Sequence, residues 1–491
     1  MEIKEIIEKD IDAFIEELKK ENSVDANALQ DEWNEERHAI VIDTIRYPDR
    51  QVVKEPAKTG VYNALTGEVM DIPAKVVTEP INRLPVPIEQ HITNIHTFFA
   101  VGTEPKMEFT ANTDEEQKLF DTLTDLLNKN KIKYENKKIV RSWLSETRVA
   151  EYWYMVDDTR FWSGIYAKQG MTASKPNKVL KSVVWSPFKG DSLYPVFDEY
   201  GDMKAFCRGF KKKVEGEEVE CLMVIDDSDV LQYEDHNGKW ILNTEISGKH
   251  GFNKIPVIYA EREEPIWAKV TRLRERLEAI ISNYADSIDY HFFPYLLLKG
   301  GVKNTTGKSK GTTIELTGEK ADAKYLTWEQ VPTTIELELK TILGQIYSQT
   351  NTPRIDFDSM QGFGKSLSGT AFKFTFMGIH GEVENHAEVI GEFFQRRVNF
   401  LTHALGITCT PFRLPSESIM IDVNIVPYMI DDLRDRVEIA VEAVQGGVWS
   451  IEEGVKFAGN TGAIEEEIKK ILNDKKIDDL IVVEEEHPSE G

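Results

Sequence analysis

The sequence predicts an α+β protein built as one interwoven molecule, and three observations carry that expectation. Apolar residues recur every three to four positions through several long segments, the mark of amphipathic helices. Residues 180–260 instead mix β-branched and aromatic residues with turns such as Asp235-His-Asn-Gly238, which reads as antiparallel sheet. The third is an order of elements, namely helix, small β insertion, helix, glycine loop and very long helix. No Pro/Ser/Gly-rich linker or low-complexity block divides the 491 residues.

Taken in order, Ile3, Ile7, Ile11, Phe14 and Leu18 form one helical stripe, so a short helix is expected over residues 2–21. Strands and a hairpin turn are expected around residues 50–55 and 61–69. Helical patterns cover about 87–100 and 114–156, where Leu119, Leu123, Leu126, Leu127, Val140, Trp143 and Leu144 keep core spacing. The sheet block closes on Ile255-Pro-Val-Ile-Tyr-Ala260. Val270, Leu273, Leu277, Ile280, Tyr284 and Ile288 then alternate by three and four, giving residues 264–290 a narrow apolar seam that calls for neighbours in a bundle or ring. Short strands at 292–298 and 312–316 flank a loop with lysines and glycines, and a second helix over 333–350 ends at Asn351-Thr-Pro353.

The most informative stretch is 361–376, QGFGKSLSGTAFKFTF. Gly362, Gly364 and Gly369 relax the backbone, and Lys365 and Ser366 stand close to the start of a helix, where free N–H groups and the helix dipole favour an anion such as phosphate. From Phe372 through Phe376, Ile379, Val383, Ala387, Ile390, Phe394, Val398 and Leu401 to Leu405 the apolar spacing persists. At 1.5 Å per residue this predicts a rod on the order of 50 Å.

Composition excludes several classes. With 59 basic against 84 acidic residues the net charge is −25, which argues against a broad basic surface gripping DNA or membrane, though not against a protein through which DNA slides. Cys207, Cys221 and Cys409 lack metal or disulfide spacing and are expected as buried small apolar residues of a reduced compartment. The charged N-terminus is unlike a signal peptide and no run of about 18 apolar residues occurs, so a soluble protein is expected. Two Gly-Lys-Ser sequences fail as nucleotide-binding P-loops. Gly301 and Gly307 are separated by five residues and Lys308-Ser309 leads into a strand, whereas before Gly364-Lys365-Ser366 the required glycine is Ser359. His380 and His386 are six residues apart on a helix, and His91 and His96 are also poorly spaced for a shared metal. No catalytic residue, metal or cofactor is therefore assigned. From Tyr428 onward 17 acidic residues face 7 basic ones, and helical spacing at Val437, Ala440, Val441 and Val444 suggests a solvated helical cap.

Several ordered motifs resemble the portal proteins of tailed bacteriophages, the head-tail connectors of siphovirus type. They are Ile81-Asn-Arg-Leu-Pro-Val-Pro-Ile88, Phe98-Phe-Ala-Val-Gly102, Pro195-Val-Phe-Asp-Glu199, His250-Gly-Phe-Asn-Lys-Ile-Pro-Val257, Leu367-Ser-Gly-Thr-Ala-Phe372 and Gly446-Gly-Val-Trp-Ser-Ile-Glu-Glu-Gly454. The resemblance covers most of the chain and is weakest over 22–80, and the insertion 37–83 departs from the family pattern. It implies a portal-type fold with wing, stem helices, small β clip and helical crown, assembled as a ring normally of twelve subunits at one capsid vertex. Residues 1–263 would form the wing, 264–290 and 333–350 the stem helices, 291–332 the clip, 351–369 the tunnel loop, 370–427 the long helix with the rest of the wing, and 428–491 the crown.

The implied role is a channel through which double-stranded DNA is packaged and ejected. The implied partners are further copies of the chain, DNA, the terminase large subunit, a head-completion adaptor, and the major capsid and scaffolding proteins, in the host cytoplasm during assembly and then in the virion, with no membrane. Under this reading Arg354, Gly362, Gly364, Lys365, Ser366 and Gly369 face DNA, and Lys303, Lys308 and Lys310 dock the clip's partners. Val270, Leu273, Leu277, Ile280 and Tyr284 line the contact between subunits. The charge pattern agrees: DNA carries one phosphate charge per about 1.7 Å of axis, so an acidic ring offering one or two cations per subunit centres it without trapping it. Locally, 291–332 has six lysines against four acids and 263–290 has six acids against four basic residues. The competing readings are a nucleotide-dependent packaging enzyme, which the broken P-loops disfavour, and another capsid, connector or baseplate protein without a DNA channel.

Overall fold

The computed structural model describes residues 7, 10–21, 25–62, 69–214, 216–291, 295–307, 312–326, 331–354, 376–428, 433–459 and 468–471. The chain divides into two compact units, residues 1–427 and residues 428–491.

The first unit opens with helices α1 (Ile11–Glu21), α2 (Ala26–Trp33) and the short α3 (Ala39–Ile42). Two nested antiparallel pairs follow: β1 (Arg50–Glu55) with β4 (Lys75–Glu79), and β2 (Lys58–Tyr62) with β3 (Val69–Ile72). An extended run over 80–87 leads to α4 (Ile88–Val101), then β5 (Lys106–Phe109), α5 (Asp114–Lys129) and α6 (Ile132–Glu146). The single helical region expected over 114–156 is thus two helices, parted where Lys131 takes a left-handed φ of 55°, and it stops at Thr147, whose φ is 65°. Residues 148–157 are instead strand β6 (Arg148–Asp157), because its run of Val, Tyr and Trp suits a pleated surface better than a helix.

Helix α7 (Thr159–Gln169) precedes β7 (Lys178–Trp185), β8 (Ser192–Phe197), β9 (Met203–Val214), β10 (Glu217–Ile225), β11 (Asp229–Asp235), β12 (Trp240–Leu242), β13 (Gly248–Lys249) and β14 (Val257–Glu261). Strands β8 to β12 lie side by side in chain order, with β13 also on β11, and β6 is flanked by β14 and β7 in a second sheet. The expected antiparallel block is there, and alternation gives each face its own core. Leu193, Phe206 and Ile225 pack with Ala150, Trp185, Val257 and Tyr259. Their neighbours Tyr194, Cys207 and Val224 turn the other way, onto Phe14, Ile15 and Leu18 of α1. All three cysteines are buried and unpaired.

A 3₁₀ turn at Ala268–Val270 enters α8 (Thr271–His291), so the first stem-like helix begins later than 264; Pro265 and Trp267 belong to the turn. Strands β15 (Tyr295–Gly307) and β16 (Thr312–Leu326) form one long hairpin. This corrects the expected short strands: the ladder runs through Gly301, and Lys303 lies at a register shift between Val302 and Asn304 rather than in a loop. Glycine and a bulge let the strand continue where the sequence looks loop-like. Next come α9 (Val331–Gln349), the 32-residue α10 (Met377–Thr408), the short α11 (Pro415–Ser418) and β17 (Ile421–Asn424), which pairs with β5.

In the second unit α12 (Leu433–Gln445) turns into α13 (Ile451–Phe457) through Gly446 and Gly447, the latter at φ 72°. Ser450 caps α13 by accepting from the Glu453 N–H. A Cβ at Gly454 would meet Val444 Cγ2 at 2.6 Å, so glycine is required where the two helices touch.

Candidate functional site

The helix–hairpin–helix–loop–helix arrangement is held at its foot by α4, which carries Glu89 and His96 on one face. Toward α8, an extended stretch lies along the helix. The N–H groups of Asn82, Leu84 and Val86 donate to Asp286 Oδ1 (2.8 Å), Ser282 Oγ (3.0 Å) and Glu278 Oε1 (2.9 Å). Two extended residues span roughly 6.6 Å and four helical residues roughly 6 Å, so the spacings match and every second amide meets one turn of α8.

Beneath it lies a buried ionic knot. Arg274 Nε is 2.9 Å from Glu89 Oε1 and its Nη1 is 3.3 Å from Glu278 Oε2, while His38 Nδ1 is 2.6 Å from Glu278 Oε1. The second ring nitrogen of His38 donates to the Glu32 carbonyl at 2.9 Å. Both partners of the ring are acceptors, so the imidazolium form fits. Burial would lower the His38 pKa, but the Glu278 hydrogen bond and the neighbouring carboxylates outweigh it and raise it. Burial pushes Glu89 up to about 7 despite Arg274.

This packing corrects the inter-subunit reading of the seam for Val270, Leu277 and Ile280. Val270, Leu277 and Ile280 are 1%, 1% and 7% exposed within one chain, because the 82–86 stretch, α3 and α9 already cover that side of α8. They are core residues here; Leu273 and Tyr284 are half-buried. The outer groove of α8 presents Arg272, Arg276 and Ala279 beside Arg46 and Tyr47.

Toward α9 and α10, His96 Nε2 donates to the Thr350 carbonyl at 2.9 Å and lies 3.1 Å from Thr352 Oγ1, leaving Nδ1 to accept from His386 Nε2 at 3.3 Å. Trp143 meets the His386 ring edge-on at 5.3 Å. Burial lowers both pKa values, His96 to about 4 and His386 to about 3, the latter also through His96 and Arg262. Just past the end of α9, Asn351 takes φ 50° and its side chain donates to Glu382 at 3.2 Å. On the far side Phe376 stacks on Phe99 of α4 at 5.5 Å. Both ends of the glycine–lysine segment are therefore fastened to α4.

Of the residues expected to face DNA, Arg354 is exposed at the first of these ends, and Gly362, Gly364, Lys365, Ser366 and Gly369 lie outside the described residues. So do Lys308 and Lys310, while Lys303 is in β15. The anchoring pair His96 and His386 was missed in the sequence because its partners stand 290 positions apart. The motif at 81–88 was the one usable signal for the α8 foot. Among the described residues no group of three or more His, Cys, Asp and Glu is placed to hold a metal, and no helix is long and apolar enough to cross a membrane.

These features define a mixed α+β protein in which two helices joined by a β hairpin are clamped to a sheet-rich body beside a long helix. Residues 48–479 match the family model described as phage portal protein, SPP1 Gp6-like, and the chain belongs to the phage portal protein family. That family is structural and non-enzymatic. Among solved structures, the chain is similar at 9% identity and a TM-score of 0.38 to one in the neck of an empty gene transfer agent particle computed with C6 symmetry, covering 76% of this chain and 90% of that one. It is similar at 10% identity and a TM-score of 0.32 to one in the virion of a native gene transfer agent particle, covering 76% and 88%. No curated protein sequence matches it.

Proposed function

We propose that this portal protein assembles as a closed ring, normally of twelve copies, at one capsid vertex, and that double-stranded DNA enters and leaves through its centre without catalysis by this chain. The observation that carries the reading is the family match over 48–479. The clamped succession of α8, the β15–β16 hairpin, α9, the loop and α10 agrees with it. In this reading α8 and α9 are the stem, the hairpin is the clip that meets the terminase large subunit and later the head-completion adaptor, residues 351–369 are the tunnel loop, and 428–491 are the crown. Residues 1–263 and the end of the first unit form the wing toward the major capsid and scaffolding proteins.

The mechanism is electrostatic. With a net charge of −25 per chain the ring repels DNA, and Arg354 and Lys365 in each loop supply the local attraction that keeps the duplex centred. Fastening both loop ends to α4 lets loop displacement bear on α10. Negative-stain imaging of the purified chain is expected to show rings with a central hole; only monomers and dimers by native mass spectrometry under assembly conditions overturns the proposal. Within assembled heads, Lys365→Glu is expected to leave rings intact and lower DNA packaging or retention. Charge reversal at Lys303, Lys308 and Lys310 is expected to spare the ring and weaken capture of the motor or adaptor. ATP turnover by the purified chain would favour the enzyme reading instead.

A further inference from the structure

Besides its buried seam, α8 carries a second stripe that turns outward. Arg272, Arg276, Ala279 and Asn283 follow one another at steps of four, three and four, so they share one face of the helix. The two arginines and Asn283 are exposed and Ala279 is half-buried. The arginines and Ala279 line a shallow groove together with Arg46, Tyr47 and Glu275. Its edge is held by a turn in which Asp43 Oδ1 accepts the N–H groups of Ile45 (3.1 Å) and Arg46 (2.9 Å), and this turn leaves Ile45 94% exposed. Arg46 pairs with Glu275 and Arg276 with Glu338, which leaves Arg272 as the groove arginine with no ion pair among the described residues.

The outer face of α10 repeats the same spacing with the opposite charge. Met377, Gly381, Glu384 and Glu388 stand at steps of four, three and four, and all four are exposed. Neither glutamate has an ion-pair partner among the described residues. Gly381 is the second clue. Glycine inside a helix is destabilising relative to alanine, and here neither a left-handed φ nor a close neighbour in the chain calls for it, since a Cβ would meet nothing within 4 Å.

We infer that the α8 groove is the docking surface for a second copy of this chain, seated through that copy's α10 running antiparallel to α8. In that direction the two stripes place the partner's Glu388 on Arg272, the partner's Glu384 on Arg276, the partner's Gly381 on Ala279 and the partner's Met377 on Asn283. On each helix one turn, about 6 Å, separates the two charges, so both ion pairs form in one register. The small pair Ala279 and Gly381 lets the two backbones approach. The surfaces differ, so the contact is heterologous and can repeat from copy to copy. The inference therefore rests on the ring reading above and names the faces that meet. A protein partner suits the groove better than DNA does. Glu275 and Glu338 stand among the arginines and repel phosphate, while Ile42 and Ile45, exposed just before Arg46, offer apolar surface that a phosphate backbone leaves unused.

The test follows assembly of the full chain by native mass spectrometry over a concentration series, for wild type, Arg272→Glu, Glu388→Arg and the two combined. Both positions are exposed, so circular dichroism and the melting temperature of the unassembled chain are expected to stay unchanged. Each single reversal is expected to raise the concentration of half-assembly at least tenfold. The combined variant, and an equimolar mixture of the two single variants, are expected to recover most of that loss. Ala279→Cys joined with Gly381→Cys is expected to give disulfide-linked oligomers under mild oxidation, and either cysteine alone is not. Wild-type rings that form equally well in both single variants, or that stay unlinked in the cysteine pair, overturn the inference and leave the ring standing. Linked products that stop at dimers keep the contact and overturn the ring, and monomers at every concentration overturn both. Loss of assembly in Arg272→Glu without recovery in the combined variant also overturns the inference, and if the wild-type chain binds duplex DNA and Arg272→Glu does not, the groove belongs to DNA.

Discussion

Glu89 and His96 stand two turns apart on one face of α4, and both are buried, yet burial moves their proton equilibria in opposite directions. Glu89 shares Arg274 with Glu278, so two carboxylates face one guanidinium and the imidazolium of His38. The knot is comfortable when protons are plentiful. His96 faces a carbonyl, a hydroxyl and a second imidazole, with Arg262 nearby, and nothing there compensates a positive charge fully. That pair is comfortable only when neutral. The contrast teaches that what fastens α8 and what fastens the junction of α9 with α10 respond to acid with opposite sign, although one helix supports both.

The most severe way to break the comparison is to remove the shared cation. Arg274→Met leaves Glu89 and Glu278 buried against each other and is expected to cost about 3–5 kcal/mol in urea unfolding at pH 7.5. Adding Glu89→Gln should restore part of it, and no recovery would mean that packing rather than charge dominates.

Next in size is the pH response. His96 has its pKa depressed from 6.5 to about 4, so its contribution is present above 6.5 and lost as pH falls toward 4, about 3 kcal/mol in all. His386→Phe should flatten this acid limb of a stability-against-pH curve. Glu89 is raised from 4.5 to about 7, so its contribution is present below 4.5 and lost as pH rises toward 7, a comparable amount of opposite slope. Glu89→Gln should therefore gain on the wild type steadily over that window, and parallel curves for the two proteins would refute the assignment.

A smaller effect sharpens the account of the α8 foot. Ser282→Ala leaves the Leu84 amide without its acceptor and is expected to cost about 1–2 kcal/mol, with amide exchange rising first at Leu84 and Val86. Smallest is Arg276→Ala. Its pairing with Glu338 at 2.7 Å joins α8 to α9 at the surface, and less than about 1 kcal/mol is expected in thermal unfolding, falling further with added salt.

Much of the architecture was already written in local pattern. The stripe from Ile379 to Leu405 is buried along α10, the alternating block became the six-stranded sheet, and Ile81–Ile88 marked the stretch that lies on α8. Periodicity reports which residues share a face, and over a long helix or a regular strand that is enough. It does not report what the face meets. The seam on α8 looked like a subunit contact because its spacing is narrow, but the amides of residues 82–86 and the buried charges of Arg274 and Glu278 turn it inward within one chain. Strand β6 lost to a helical reading because its neighbours carry helical spacing; pairing with β7 and β14 decided it.

What the sequence by itself determined is the family, the order of elements and the acidic balance, since each is a property of neighbouring residues or of their sum. Only the tertiary structure decided that His96 and His386, 290 positions apart, lock the ends of the glycine–lysine segment, and that Arg397 meets Glu151 across 246 positions. Such pairs leave no local trace: a buried polar group is specified by partners that chain folding brings together, and its protonation by the desolvation that only the finished packing creates.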